Sequence, residues 1–263
     1  MSYLINRIKS ELGFVRSNLW HLLHKTSHEF EVKVPEGMVR RVLKKNNLYF
    51  DKNGDPTWWW YSFKYRRNTQ DELLKAVLDC INKNVAKDSN LLITGCDTGW
   101  ILFWLAQHGF KKLNGFDLIG DVVNAARDLS DELKIKANIC QDDGFNPNSK
   151  LGEYDVILAL YWVYSAWMGN YGNKPCASGD SYDLLKRFIS VYVPHLSKNG
   201  LFIVELIDSI ADFKVPLTNI YPVRHNGEQV TRCADELGLS IEKKMFCGTC
   251  GHQPRMVYFM KKK

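Results

Sequence analysis

Residues Asn90 to Trp100 carry a short apolar run, Asn-Leu-Leu-Ile-Thr, that passes directly into Gly95-Cys-Asp-Thr-Gly99 and then into an apolar segment opened by Trp100. A buried strand that ends in a glycine turn and restarts as a helix narrows the fold sharply. The turn then lies at the carboxyl edge of a sheet, with the first amide groups of the helix aimed at whatever binds there. Glycine at 95 and 99 lets the backbone approach a ligand that a side chain would keep away. Phe116-Asp117 follows, with the acid roughly 20 positions beyond the turn at the end of the next predicted strand, where a carboxylate can grip a ribose diol. These residues predict a nucleotide-like ligand.

A single glycine turn is a weak signal, and the order of the later segments strengthens it. Lys112 to Asp117 reads as a second short strand and Asp121 to Arg127 as an amphipathic helix. Ala137 to Gly144 reads as a third strand closing on two carboxylates, Asp142 and Asp143. Tyr154 to Leu160 is a continuous apolar run, as expected of a strand covered on both faces. Val193 to Leu206 holds the end of a helix, a glycine turn at Gly200 and a fifth strand. Ile241 to Phe246 and Arg255 to Met260, joined by a glycine-rich turn, read as an antiparallel pair.

This succession, over residues 71–263, resembles the class I S-adenosylmethionine-dependent methyltransferases. Gly95, Cys96 and Gly99 match the family's first motif, and Thr98 is a common choice there. Ile93 stands where the family has a strand-end acid, and Asp97 where it has the middle glycine. The resemblance implies an α/β, Rossmann-like, seven-stranded, mostly parallel sheet with helices on both faces and an antiparallel terminal strand. It also implies S-adenosylmethionine as cofactor, held by Gly95, Cys96, Asp97, Gly99, Asp117, Asp142 and Asp143. In that arrangement Asp117 takes the ribose hydroxyls and Asp142 lies near the adenine amino group. The Ile93 and Asp97 departures keep open a changed activity, including a scaffold of the same fold without turnover.

Nearly half of the 263 residues are apolar, enough for one large α/β domain with an appended element. No run of about 18 apolar residues suggests a membrane span, and the polar start Met1-Ser-Tyr-Leu-Ile-Asn-Arg does not read as a signal peptide. Seven scattered cysteines suit a reducing, cytoplasmic setting better than a disulfide framework. Cys96 and Cys140, in or beside buried strands, are expected to act as small hydrophobes.

Charge divides unevenly along the chain. Residues 1–70 hold 13 Lys and Arg against 6 Asp and Glu, whereas residues 71–263 hold 22 against 23. The expected organisation is therefore a basic N-terminal extension, 1–70, serving as cap, lid or substrate-binding element, followed by the catalytic domain, 71–263. Leu4, Ile5, Ile8, Leu12, Val15, Leu19, Leu22 and Leu23 recur at helical spacing. That stripe would pack on the catalytic domain or a second subunit. Its basic flanks and Trp20 also suit peripheral contact of residues 1–28 with an anionic membrane surface. Arg40-Arg41 with Lys44-Lys45, and Trp58 to Arg67, combine cations and aromatics that can hold a phosphate, a sugar face or a stacked base.

Two segments invite chemistry that the sequence does not support. Cys247-Gly-Thr-Cys250-Gly-His252 lacks the second ligand pair of a structural zinc site, and its place in a hairpin turn explains the glycines. Pro175-Cys176 falls too far beyond the fourth strand for the nucleophile of the cytosine-C5 enzymes. The Asp/Asn-Pro-Pro-Tyr turn of adenine-N6 and glutamine methylation is missing, and Ala159 to Trp167 is aromatic instead. Tyr161, Trp162 and Arg66 are the expected substrate-binding residues, facing a small-molecule or glycan acceptor, anionic in the charge reading. The general base is not identified. Glu205 and Asp208 near the fifth strand's end, His225 and His195 are the residues considered, with Asp208 and His225 preferred. Asp180 and Asp183 are expected to cap the helix beginning near Ser181. The leading expectation is O-methylation of a sugar, a phosphate-bearing metabolite or a glycan precursor. RNA methylation is a rival, although net charge +6 is modest and residues 1–70 carry no recognised RNA-binding motif.

Overall fold

The computed structural model describes residues 32–48, 71–147, 151–163, 181–207, 225–250 and 253–263. Its elements are α1 (Glu36–Lys45), α2 (Asp71–Asn84), β1 (Asn90–Thr94), α3 (Trp100–Gln107), β2 (Lys112–Asp117), α4 (Gly120–Glu132), β3 (Ala137–Gln141), β4 (Tyr154–Ala159), α5 (Ser181–Tyr192), β5 (Leu196–Ile207), α6 (Gly227–Glu236), β6 (Leu239–Cys250) and β7 (Gln253–Lys262). A short 3₁₀ turn, Val193–His195, joins α5 to β5.

The strands form one sheet in the order β3-β2-β1-β4-β5-β7-β6. The first five are mutually parallel, and β7 runs antiparallel to both β5 and β6. This is the seven-stranded, mostly parallel arrangement expected from the sequence. Its order reverses between β1 and β4, and in open α/β sheets ligands settle in the crevice beyond the carboxyl ends of the strands at that switch point.

Side chains alternate across the sheet because strand periodicity is two. Leu91, Ile93, Val156, Leu158, Leu201 and Ile203 face one apolar cluster, shared with α2, α3 and α4. Leu92, Ile157, Ala159, Phe202 and Val204 face another, shared with α5 and α6. Burial on both faces explains why β1 and β4 read as unbroken apolar runs.

Two features differ from the sequence expectation. First, β5 begins at Leu196, ahead of the predicted glycine turn. Asn199 takes a positive φ of 63° and the β4 register slips between Tyr154 and Val156, so the turn is absorbed as a bulge within the strand. Second, the described part of the extension, residues 32–48, packs into the main core. Val32, Val34, Val39, Val42, Leu43 and Leu48 are buried with residues of α2, α3 and α4. Its basic run is partly neutralised there: Arg41 pairs with Glu132, and Lys45 lies 2.9 Å from Asp128, both acids being on α4. Residues 1–31 and 49–70, including the 1–28 stripe and Arg66, lie outside the described residues.

Candidate functional site

At the carboxyl edge of β1 the chain takes three left-handed residues within five: Gly95 (φ 60°), Asp97 (φ 53°) and Gly99 (φ 89°). Glycine adopts such angles without steric cost, and aspartate tolerates them better than most residues. The space freed by the glycines is taken by the protein itself, a correction to the sequence expectation. A Cβ at 95 would lie 2.5 Å from Trp162 Cδ1, and one at 99 would lie 2.7 Å from Phe103 Cζ.

The turn is locked to the end of β2. Cys96 N–H donates to the Phe116 carbonyl (2.9 Å), and Asp97 N–H donates to Asp117 Oδ2 (3.0 Å). Ile119 N–H donates to Asp117 Oδ1 (3.1 Å), and the Asp117 carbonyl accepts the N–H of Asp142 (3.0 Å). The structure thus brings Asp97, Asp117 and the start of the Asp142-Asp143 segment onto one rim. Asp142 Oδ1 accepts the Asp143 N–H and Asp143 Oδ1 accepts the Phe145 N–H, each at 2.9 Å, so both carboxylates also shape the loop after β3. The Thr98 N–H donates to Asp97 Oδ1 at 2.6 Å.

Burial, and then the neighbouring Asp97 charge, push the Asp117 carboxyl up to about 6. Burial, Asp117 and Asp97 together hold the fully buried Cys96 thiol well above its usual range, so it is neutral and inert. Each Asp117 oxygen accepts one backbone N–H and has further lone-pair capacity, which suits a vicinal diol. Ile119, beside it, is 39% exposed and one of two large exposed hydrophobics among the described residues. An apolar side chain left open next to a carboxylate with spare acceptor capacity suits the flat face of a purine. Sequence reasoning missed Ile119; its only signal was its position two residues beyond the acid.

The expected substrate-binding aromatics are both buried. Trp162 is 8% exposed, donates its indole N–H to Thr94 Oγ1 (3.1 Å), and packs on Phe145 and Phe188 in the α5/α6 core. Its ring abuts Gly144 as well as Gly95, where an added Cβ would approach Cη2 to 2.4 Å. Tyr161 turns to the other side of the sheet, with its ring 5.4 Å from Trp100.

Among the residues considered as base, Glu205 is fully buried and lies 2.6 Å from Arg255 Nε. His195 precedes β5, at the amino edge opposite the site, with Nδ1 3.0 Å from the Gly152 carbonyl. That position removes it as a base. His225 is buried at the carboxyl edge, where its N–H donates to the Ile207 carbonyl (3.1 Å), just before the Asn226/Gln229 capping box of α6. Asp183 lies in the first turn of α5, where a carboxylate favours the helix dipole. Asp208 and Asp180 lie outside the described residues. Cys247 lies within β6, and burial with the adjacent Glu205 pushes its thiol up to about 12.

A sheet of this order and direction, with a glycine turn after β1 tied to an acid ending β2, is the class I S-adenosylmethionine-dependent methyltransferase fold. Solved structures agree with it. Magnesium protoporphyrin IX methyltransferase from Synechocystis PCC 6803, crystallised with S-adenosylhomocysteine, superposes with a TM-score of 0.56 at 15% identity, over 87% of this chain and 99% of that one. An S-adenosylmethionine-dependent methyltransferase from Clostridium acetobutylicum ATCC 824 gives 0.52 at 18% identity, over 71% and 89%. One from Methanosarcina mazei gives 0.53 at 13%, over 70% and 96%. Neither a family profile nor a curated protein sequence matches the chain. Among the described residues, no helix is long and apolar enough to cross a membrane.

Proposed function

We propose that this protein is an S-adenosylmethionine-dependent methyltransferase acting on an oxygen of a small or mid-sized acceptor: a sugar, a phosphate-bearing metabolite or a glycan precursor. The observation that carries the cofactor part is the Gly95–Gly99 turn fastened through Asp97 N–H to the Asp117 carboxylate. The Synechocystis structure holds S-adenosylhomocysteine in the same fold, which supports that reading. Asp117 would take the ribose hydroxyls, Ile119 the purine face and Asp142 the adenine edge, with Gly95, Cys96, Asp97, Gly99 and Asp143 shaping the cradle.

When bound, S-adenosylmethionine supplies a methyl group on a sulfonium, already a strong electrophile. The protein's task is then alignment of the acceptor and exclusion of water. Tyr161 and Trp162, packed on opposite sides of the sheet beside the glycine turn, would hold the cleft rigid, and Arg66 would help hold an anionic acceptor. A hydroxyl acceptor must lose a proton, and His225 or Asp208, at the carboxyl end of β5, would receive it.

Titration calorimetry with S-adenosylhomocysteine tests the cofactor assignment: saturable one-site binding is expected, and none would sink it. Methyl transfer from labelled S-adenosylmethionine to panels of sugars, sugar phosphates and structured RNA then decides the acceptor class. Binding without transfer to any panel would favour the alternative of a cofactor-binding scaffold without turnover.

A further inference from the structure

We propose that Glu205 and Arg255 are positioning residues of the cofactor cleft: the pair fixes the turn after β4, so that the Tyr161 ring stays seated against Trp100 at the foot of the glycine turn. The inference rests on the cofactor reading above and adds residues two and three strands away from the turn.

Tyr161 has φ 68°, a left-handed angle that costs an aromatic residue free energy and persists only where the surroundings impose it. Its N–H donates to Glu205 Oε2 at 2.8 Å. Glu205 is 0% exposed, and a carboxylate so placed keeps its charge only with a close partner. Arg255 Nε supplies it, 2.6 Å from Glu205 Oε1. An ionised acceptor makes a stronger hydrogen bond than a neutral one, so the arginine acts on the turn through the glutamate.

Strand register makes the arrangement. Glu205 pairs with Val257 and Ile207 with Arg255, so Glu205 and Arg255 are diagonal neighbours on one face of the β5–β7 ladder. Cys247 of β6 closes the third side, with Sγ 3.7 Å from both Glu205 Oε1 and Arg255 Nη2. The Arg255 guanidinium carbon is also 5.8 Å from the centre of the Tyr161 ring, within cation–π reach, while Trp100 contacts the ring from α3. Trp100 directly follows Gly99, so a shift of the Tyr161 ring is felt in the cofactor turn. Glu205 is thereby removed from the set of proton acceptors, because it is fully buried and paired with Arg255.

The experiment pairs S-adenosylhomocysteine calorimetry with chemical unfolding and amide hydrogen exchange on the full chain. In Glu205→Leu/Arg255→Met the buried charges give way to apolar groups of similar volume, a change that commonly leaves stability equal or higher. The lost acceptor for the Tyr161 N–H offsets that gain, so an unfolding midpoint close to wild type is expected, together with an affinity about ten-fold lower, a split that a merely structural pair would not produce. Glu205→Gln/Arg255→Gln keeps an acceptor for the Tyr161 N–H and should bind within about three-fold of wild type. Wild-type affinity in the apolar variant would overturn the proposal. So would undiminished binding by either variant while its Tyr161 amide exchanges freely. A wild-type protein that takes up no S-adenosylhomocysteine would instead remove the cofactor reading and this inference with it.

Discussion

Replacing Asp117 with Asn should abolish cofactor binding and cancel a pH-dependent cost that the carboxylate imposes on the folded protein. In the folded chain its carboxyl is raised from the usual 3.8 to about 6, first by burial and then by Asp97. A carboxyl whose folded pKa lies above its unfolded value holds its proton more tightly in the folded state. Stability therefore falls as pH rises through the window from 3.8 to about 6, and levels off above it. That displacement corresponds to about 3 kcal/mol at pH 7. Residual solvent contact at the rim lowers it to about 2 kcal/mol. Asparagine cannot ionise and escapes that cost, but its amide NH₂ must face one of the two backbone N–H groups that Asp117 accepts, a loss of about 1–3 kcal/mol that does not vary with pH. The stability of the variant relative to wild type should therefore rise by about 1.5 kcal/mol between pH 4 and pH 7, or about 3 °C in Tm for a chain of 263 residues. Near pH 4 the wild-type carboxyl is already protonated when folded, so little of that cost remains and the variant should be the less stable protein. Urea unfolding of both proteins without ligand, followed by far-ultraviolet circular dichroism at pH 4, 5.5 and 7, measures it. A difference between variant and wild type that does not change with pH would refute the reasoning.

Further outcomes follow from the same geometry. If the ionised form of Asp117 accepts the ribose hydroxyls, affinity for S-adenosylhomocysteine should rise about ten-fold between pH 5 and pH 7, and calorimetry across that range would show a flat profile if it does not. Gly95→Ala drives a Cβ to within 2.5 Å of Trp162 at a positive φ and should cost about 2–3 kcal/mol with loss of ligand binding; with Trp162→Leu, itself costly, the double variant should lose less than the sum of the two single losses, and strict additivity would deny the contact. Ile119→Ser should leave unfolding unchanged to about 0.5 kcal/mol yet weaken S-adenosylhomocysteine about five-fold, and equal affinity would remove the purine contact. Leu43→Ala should cost about 2–4 kcal/mol in urea, and a cost near zero would mean that α1 does not share the core.

What was legible in the chain is what local sequence encodes. The β1 strand, its glycine turn and the opening of α3 occupy adjacent residues, and burial on both faces writes a sheet strand as a plain apolar run. Asp117 is legible because the acid follows the turn at a fixed spacing and ends a strand. Tertiary register is not written this way. Glu205 and Arg255 are 50 positions apart and meet only because β7 runs antiparallel to β5 in one alignment. Taken alone, Glu205 reads as a strand-end carboxylate and so as a base. The run Arg40 to Lys45 likewise reads as free positive charge until α1 is placed on α4, where Glu132 and Asp128 meet Arg41 and Lys45. Trp162 follows the same pattern: aromatic residues after β4 suggest a pocket wall, and only the contacts with Gly95 and Gly144 show the indole spent on packing.

The two departures in the first motif have one physical account. Ile93 is in register with Leu158 and faces the apolar cluster between the sheet and α2, α3 and α4, so a carboxylate there would be buried without charge compensation from its neighbours. Four residues later, Asp97 carries the acid into the turn itself. There it caps the Thr98 N–H, and its own N–H fastens Asp117. The consequence is costly for the unliganded protein: a non-glycine residue at positive φ, and a second carboxylate that raises Asp117. A fold retained only as a scaffold gains nothing from strain and like charge concentrated on one rim, and substitution to glycine at 97 would relieve both. Perturbed carboxylates of this kind gather where a ligand compensates them. The Asp97 departure therefore favours a cleft still built to bind a cationic cofactor over one that has lost the need.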